Sequence, residues 1–155
     1  MKVTTNKGYM TFDYNQEFNI IVEIYGGILN YPDLIKLKKY QNKHSQFDPN
    51  LNGLVIITNV KINYSYDELL KFKEFLMQLN NYSGNRKTAI LTDSPDQAAL
   101  GLLYSKDRFN TPMLFNVFST MNSCLKWIDT PPHLYKRTID FVNDLMLITK
   151  VDDEI

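Results

Sequence analysis

The chain has 155 residues, of which 44% are hydrophobic and 22% are charged, and its 17 basic residues balance 17 acidic ones. This length and composition predict one folded domain with a single buried core and exclude wholesale disorder. A formal charge of zero argues against broad electrostatic binding of nucleic acid, which requires a concentration of positive charge.

The first predicted elements are a β-hairpin and a helix. Apolar and polar residues alternate through "YMTFDYNQEFNIIVEIYGG" (9–27), with a break near residues 15–17 and two glycines at the end. The stretch "YPDLIKLKKYQNKHSQ" (31–46) then predicts a helix whose apolar positions are Leu34, Leu37 and Tyr40, with lysines on the remaining face. The turn-rich "FDPNLNG" (47–53) ends this helix.

Three strand-and-helix units follow, and a last helix closes the chain. The predicted strands are 53–60, 87–93 and 115–118, and the predicted helices are 65–81, 94–105 and 120–128. After two prolines, the final helix (133–148) carries one amphipathic stripe: Leu134, Thr138, Phe141, Leu145 and Ile148. The pattern predicts an α/β fold with a mixed, mostly parallel sheet, a leading antiparallel hairpin and covering helices. We divide it into an α/β domain (1–130) and a C-terminal amphipathic helix with a short acidic tail (131–155). This helix packs on the domain or pairs two copies as a homodimer.

Serines stand where strands give way to helices. Ser65 begins a Ser-x-x-Glu capping box with Glu68, and Ser94 begins a second box with Gln97. Ser119 or Thr120 is placed to cap the next helix, and Asn30 the first helix. Helix capping therefore accounts for these hydroxyls without any nucleophilic chemistry.

Few residues remain that suggest catalysis. Asp93 lies at a strand end outside the cap, so an enzyme would need it beside a hydroxyl such as Thr58 or Thr92. Neither GxGxxG nor GxxxxGK[ST] occurs, which argues against nucleotide binding. His44 and His133 have no metal-ligand spacing with Cys124. We therefore expect no cofactor, no metal and no enzymatic activity.

Other features bear on location and surface contacts. The single cysteine favours a reducing compartment, and we interpret Cys124 as a packed thiol because it lies in an apolar helical pattern. The N-terminus lacks the apolar segment of a secretory signal, and no run is long enough to cross a bilayer, so we expect a cytoplasmic protein. Lys36, Lys39 and Lys43 share one helix face, which is either solvated or faces an acidic partner or an anionic membrane.

Four stretches give residues 18–128 a resemblance to the STAS-like, SpoIIAA-like family of small domains. They are "IIVEIYGGI" (20–28), "FDPNLNGLVIITNV" (47–60), "KTAILTDSPDQAALGLLYS" (87–105) and "FNVFSTMNSCLKWI" (115–128). The resemblance implies a sheet-and-helix domain without enzymatic activity that serves regulatory contact. CRAL-TRIO proteins, which are related in architecture, hold lipids or other apolar ligands. In regulatory STAS domains, a partner kinase phosphorylates a serine in an Asp-Ser-Ser-Gly turn, which would make the matching serine here a phosphosite. The matching stretch here, "NYSY" (63–66), keeps only the serine, Ser65, and lacks the flanking acid and glycine.

Three functional hypotheses follow. The leading one is a non-enzymatic regulatory or protein-interaction module, which would bind a protein partner at the carboxyl ends of the strands. The residues predicted for this contact are Tyr64, Ser65, Tyr66, Asp93 and Ser94. The alternative is a carrier or sensor of an apolar small molecule or lipid, with Leu102, Leu103 and Tyr104 lining its cavity. The third is an enzyme that uses Asp93.

Overall fold

A computed structural model describes residues 1–79, 86–106 and 113–151. The strands are β1 (Lys2–Thr4), β2 (Gly8–Asn15), β3 (Ile20–Asn30), β4 (Asn52–Asn63), β5 (Arg86–Leu91) and β6 (Met113–Phe118). The helices are α1 (Tyr31–Asn42), α2 (Tyr66–Leu79), α3 (Pro95–Lys106), α4 (Met121–Trp127) and α5 (Tyr135–Val151). A 3-10 turn at Pro132–Leu134 precedes α5.

The strands form one sheet in the order β1-β2-β3-β4-β5-β6. β1, β2 and β3 pair antiparallel, whereas β3 to β6 pair parallel. This confirms the predicted mixed sheet with its leading hairpin. The short edge strand β1 was not predicted, because three residues carry too little periodicity to indicate a strand.

Helices cover both faces of the sheet. Successive β3 side chains point to opposite faces, so Ile20, Val22 and Ile24 pack with α4 and α5 in one core. Tyr25 faces the other way and belongs to a second core with α1 residues such as Leu34. Glu23 also faces this second side, where it is buried. A charged residue therefore occupies an inward position of a central strand.

α5 packs on the first core through Val142 and Leu145, and its Phe141 ring lies 6.1 Å from that of Phe18. The predicted stripe is wrong at its last position, because Ile148 is 59% exposed and Thr149 is buried instead. Because an α-helix has 3.6 residues per turn, its buried face continues from residue 145 to residue 149. Among the described helices, none combines the length and apolar character needed to cross a membrane.

The inward face of α1 differs from the predicted one. Tyr40 is 48% exposed, whereas Gln41 is buried with Leu34 and Leu37. The Lys38 side chain lies on the same inward line and is 12% exposed. Two polar side chains replace the expected tyrosine because a buried carboxylate on β3 is their partner.

Candidate functional site

A cavity of about 120 Å³ lies between the sheet and helices α1, α2 and α3. Its walls are mostly apolar and include Leu34, Val55, Ile57, Leu69, Phe72 and Ile90. Charged and hydrogen-bonding side chains also reach it: Glu23, Tyr25, Lys38, Gln41, Arg86 and Thr88. The combination of a partly open, mostly apolar space and a few convergent polar groups is typical of small-molecule sites.

The polar group is built around the carboxylate of Glu23. Tyr25 Oη donates to Glu23 Oε2 at 2.9 Å, and Lys38 Nζ donates to the same oxygen. Gln41 Nε2 donates to Oε1 at 3.0 Å, while Gln41 Oε1 accepts from Lys38 Nζ at 3.2 Å. We call these four residues, Glu23, Tyr25, Lys38 and Gln41, the carboxylate cluster. Both carboxylate oxygens have donors, as burial of a charge requires.

Electrostatics keep this carboxylate ionised. Burial acts to raise the pKa of Glu23, but Lys38, Arg86 and the Gln41 amide together hold that pKa below its ordinary value. Burial lowers the pKa of Lys38, and the neighbouring Glu23 opposes this effect. Burial and the adjacent carboxylate raise the pKa of Tyr25 well above its ordinary value, so the phenol remains a donor. The cluster is therefore an ion pair with two neutral donors.

Arg86 approaches this cluster because a glycine stands in the neighbouring strand. A Cβ added at Gly53 would lie 3.0 Å from Arg86 Nη2 and 2.7 Å from Thr88 Oγ1. The absence of a side chain at position 53 thus leaves the space that the guanidinium occupies. Arg86 is 7% exposed, and it lowers the pKa of Glu23 through its charge.

The carboxylate cluster lies toward the amino ends of the parallel strands. Glu23 is near the start of β3, and Arg86 is the first residue of β5. The predicted site was at the opposite, carboxyl end, where α/β folds usually bind ligands. The sequence does carry a signal for the cluster: a glutamate interrupts the apolar run "IIVEIY" (20–25). Lys38 and Gln41 also continue the helical line of Leu34 and Leu37.

At the carboxyl end of β4, the structure confirms the cap at Ser65. Glu68 N donates to Ser65 Oγ at 3.2 Å, and Ser65 N donates to Glu68 Oε2 at 2.9 Å. Tyr66 is 39% exposed, whereas Tyr64 lines the cavity, where burial raises its pKa to about 12. Ser65 is thus exposed, and its hydroxyl caps α2. Of the two tyrosines beside it, Tyr66 faces outward and Tyr64 faces the cavity.

Replacing Ser65 by alanine is expected to lower the free energy of unfolding by about 1 kcal/mol, because α2 loses its N-cap acceptor. Urea unfolding followed by circular dichroism measures this change. Ser119→Ala is the matched control, since Ser119 is exposed and Thr120 caps α4. Equal unfolding midpoints for the two variants would show that the Ser65 cap contributes nothing.

At the carboxyl end of β5, the predicted capping box is only half formed. Gln97 N donates to Ser94 Oγ at 3.4 Å, but Ser94 N donates to Thr92 Oγ1 at 3.1 Å rather than to Gln97. Thr92 Oγ1 donates to Gln97 Oε1 at 2.7 Å, and Gln97 Nε2 donates to Val60 O at 2.6 Å. The threonine satisfies the serine amide, so the glutamine is available to join α3 to β4.

Asp93 is exposed, and the described residues provide no hydrogen bond to its carboxylate. Thr92 is directed to Gln97 and Ser94, so it does not form the pair with Asp93 that catalysis would require. Thr58 is half-buried, and its hydroxyl has no hydrogen bond to Asp93 in this part of the chain. The arrangement behind the enzyme hypothesis is therefore not found there.

The predicted contact residues occupy two levels of a stepped sheet edge. The pairing of β4 with β5 ends at Ile56 and Leu91, but β4 continues beside β3 to Asn63. At about 3.3 Å per residue, this places the end of β4 about 20 Å beyond the end of β5. Tyr66 therefore belongs to the upper step and Asp93 to the lower one.

On α3, the described residues that line the cavity are Gln97, Leu100 and Gly101, and Leu102 is not among them. Leu102 is 46% exposed, because one position along a helix turns a side chain about 100° away from its predecessor. The side chains of Leu103 and Tyr104 lie outside the described part of the structure.

Cys124 is fully buried, and burial raises the pKa of its thiol to about 12, as expected for a packed residue. Within the described residues, no group of three or more His, Cys, Asp or Glu side chains is placed to hold a metal ion. His44 stacks on Tyr14 with 5.5 Å between ring centroids.

One solved structure provides a comparison for the whole fold. No family model matches the chain, and a search of curated proteins found no match. A crystal structure of an uncharacterized protein from Shewanella loihica PV-4, from the DUF3478 family with a SpoIIAA-like fold, is similar with a TM-score of 0.53. The alignment has 15% sequence identity and covers 83% of this chain and 98% of that one. The chain therefore has a SpoIIAA-like fold, as its sequence resemblance predicted.

Proposed function

We propose that this SpoIIAA-like domain is a non-enzymatic regulatory module that binds a protein partner. The contact edge, defined as Tyr64, Ser65, Tyr66, Asp93 and Ser94, is the proposed surface, and Tyr66 on its upper step is the proposed anchor. The fold supports this proposal, because SpoIIAA-like domains of the STAS type are commonly regulatory. Because fold alone does not specify a function, the residues of the contact edge carry the proposal.

The observation that carries the proposal is the exposed ring of Tyr66 beside a serine already used as a helix cap. Tyr66 begins α2 and is 39% exposed, whereas the preceding Tyr64 turns into the cavity. Exposed tyrosines at such positions are frequent anchors of protein interfaces, since they combine a large apolar ring with a hydroxyl group. The ring is thus available to a partner without disturbance of the core.

The hydroxyl groups of the edge support a binding role rather than a catalytic one. Ser65 Oγ accepts from Glu68 N, and Ser94 Oγ accepts from Gln97 N. In the described structure, neither serine hydroxyl has a histidine or lysine as a hydrogen-bond partner that would activate it. Both serines stabilise the helices that present the edge.

Replacing Tyr66 by alanine is expected to reduce partner recovery by about 30-fold, because loss of a hot-spot aromatic costs about 2 kcal/mol of binding free energy. The wild-type chain and the variant would be used as bait in lysate from the source cells, with quantitative mass spectrometry of the captured proteins. The same change should leave the unfolding midpoint nearly constant, because the ring is outside the core.

Tyr40→Ala is the matched control for this experiment. Tyr40 is also an exposed tyrosine on a helix, at 48%, but it lies on α1 away from the contact edge. Recovery of the same partner by Tyr40→Ala and its loss with Tyr66→Ala would support the proposed surface. Equal recovery by wild type and Tyr66→Ala would reject it.

A further inference from the structure

We propose that the cavity beneath α1, α2 and α3 binds a small uncharged molecule that has an apolar body and one hydroxyl or carbonyl group. The apolar body contacts the hydrocarbon walls, and the oxygen forms a hydrogen bond with the Thr88 hydroxyl. This inference goes beyond the proposed partner binding and does not depend on it, since none of its experiments uses Tyr66 or a protein partner.

The size and the walls of the cavity limit the apolar body of this ligand. The cavity volume is about 120 Å³. An engineered apolar cavity of about 150 Å³ binds benzene, so a body of up to about six carbons fits here. The wall residues include Val55, Leu76 and Phe115, which offer hydrocarbon surface. Transfer of the apolar body from water to these walls provides the driving force for binding.

The charged side chains that the structure describes in the cavity lining already have partners, which favours an uncharged ligand. Glu23 accepts hydrogen bonds on both carboxylate oxygens, and Lys38 donates to Glu23 and to Gln41. Arg86 also has an interaction partner of its own. A charged ligand would therefore lose its hydration without gaining an unused counter-charge from these residues, and that loss is costly in a mostly apolar space.

Thr88 is the lining residue best placed to bind the oxygen of the ligand. It lies on β5, lines the cavity and is 4% exposed. Within the described residues, its hydroxyl has no hydrogen-bond partner. Since hydroxyl groups in buried positions normally have a partner, a group inside the cavity is expected to supply one. Tyr64 also lines the cavity, but it is only half-buried, so bulk water can pair with its hydroxyl.

Three six-carbon probes that differ only in the head group test the charge of the ligand. Hexan-1-ol, hexanoate and hexylammonium would be titrated into the wild-type protein at pH 7, with binding followed by amide shifts in NMR spectra. Hexan-1-ol should bind at least about 10-fold more tightly than either charged probe, because a charged head group loses more hydration. Amide shifts should centre on Val55, Thr88 and Ile90. Equal or tighter binding of a charged probe, or no saturable binding of hexan-1-ol, would overturn the proposal.

Thr88→Val and Thr11→Val form a matched pair of variants. Each replaces a buried strand threonine by an apolar residue of nearly the same shape. Thr11 is 1% exposed and its hydroxyl has no hydrogen bond, but it lies outside the described cavity lining. Thr88→Val should weaken the binding of hexan-1-ol by about 5-fold through loss of one hydrogen bond. Thr11→Val should bind hexan-1-ol as the wild type does, and so should Thr88→Ser, which keeps the hydroxyl.

Two results would overturn the hydrogen bond to Thr88. One is wild-type affinity for hexan-1-ol in Thr88→Val, and the other is equal weakening in Thr88→Val and Thr11→Val.

A cavity-filling variant shows whether the probe binds inside the cavity. Val55→Phe places a larger apolar side chain in the lining. It should weaken the binding of hexan-1-ol more than Thr88→Val does, because the added ring takes the space of the apolar body. Unchanged affinity in Val55→Phe would place the binding site elsewhere and overturn the proposal. If Val55→Phe fails to fold, the wild-type probe series and the two threonine variants still decide the outcome.

Discussion

Replacing Lys38 by methionine is expected to lower the free energy of unfolding by about 3–5 kcal/mol, because it leaves the buried Glu23 carboxylate without its cationic hydrogen-bond partner. Glu23 is 1% exposed, and its Oε2 accepts from Lys38 Nζ and from the neutral Tyr25 hydroxyl. Methionine keeps most of the side-chain volume, so the change reports on charge rather than on a cavity. Urea unfolding at pH 7 measures it, and Lys36→Met, an exposed lysine on the same helix, is the control.

The pH dependence identifies Glu23 as the source of this loss. In the wild type, the lowered pKa of Glu23 contributes stability above its unfolded pKa of about 4.3, and this contribution disappears as pH falls through the folded pKa. Loss of Lys38 raises the folded pKa of Glu23, so the variant binds a proton at higher pH. The stability difference between wild type and Lys38→Met should therefore narrow as pH falls from 7 to 4.

A double variant separates an unpaired charge from lost packing. Glu23→Met combined with Lys38→Met removes both charges and should regain much of the lost stability, because apolar replacements of buried pairs are often neutral or stabilising. If the double variant is as unstable as Lys38→Met alone, or if the difference is independent of pH, then the ion pair does not explain the effect.

Replacing Gly53 by alanine is expected to destabilise the protein by about 1–3 kcal/mol, because the added methyl group overpacks the sheet beside the cavity. The new Cβ would lie 2.7 Å from Thr88 Oγ1, 2.9 Å from Thr88 Cγ2 and 3.0 Å from Arg86 Nη2. At least one of these neighbours must move. Thermal and urea unfolding measure the stability.

A rescue experiment distinguishes these two neighbours. Thr88→Ala removes both contacting atoms of the threonine, so the double variant Gly53→Ala and Thr88→Ala should regain stability relative to Gly53→Ala. If the double variant stays as unstable as Gly53→Ala, then the methyl group acts through the Arg86 guanidinium instead. Wild-type stability in Gly53→Ala would contradict the close approach that the structure shows.

The α1 helix shows how far a periodic pattern leads. Its start and its Asn30 cap follow from local signals, and the structure confirms a capping box between Asn30 and Asp33. The helix ends at Asn42, four residues before the predicted end. The same signals do not predict which face of α1 is buried. Tyr40 is more hydrophobic than Lys38, but Tyr40 is the exposed residue and Lys38 the buried one. A polar side chain is buried at low cost only where a partner exists, and that partner lies on β3.

The sheet edge gives a similar contrast. Capping at Ser65 was predictable, since donor and acceptor are three residues apart. The half-formed box at Ser94 was not predictable. The Gln97 side chain donates to Val60 O, which is 37 residues away, and does not accept from Ser94 N. The stepped ends of β4 and β5 likewise arise from strand register, which no single segment contains.

By itself, the sequence determined the order of strands and helices, the mixed sheet with its leading hairpin and most helix starts, because these depend on residues within about four positions of each other. Only the tertiary structure decided that Glu23 meets Lys38 and Gln41 and that Arg86 lies over Gly53. These contacts join residues 15 or more positions apart. Strand register and helix packing bring such residues together, and the periodicity of a single element predicts neither of them.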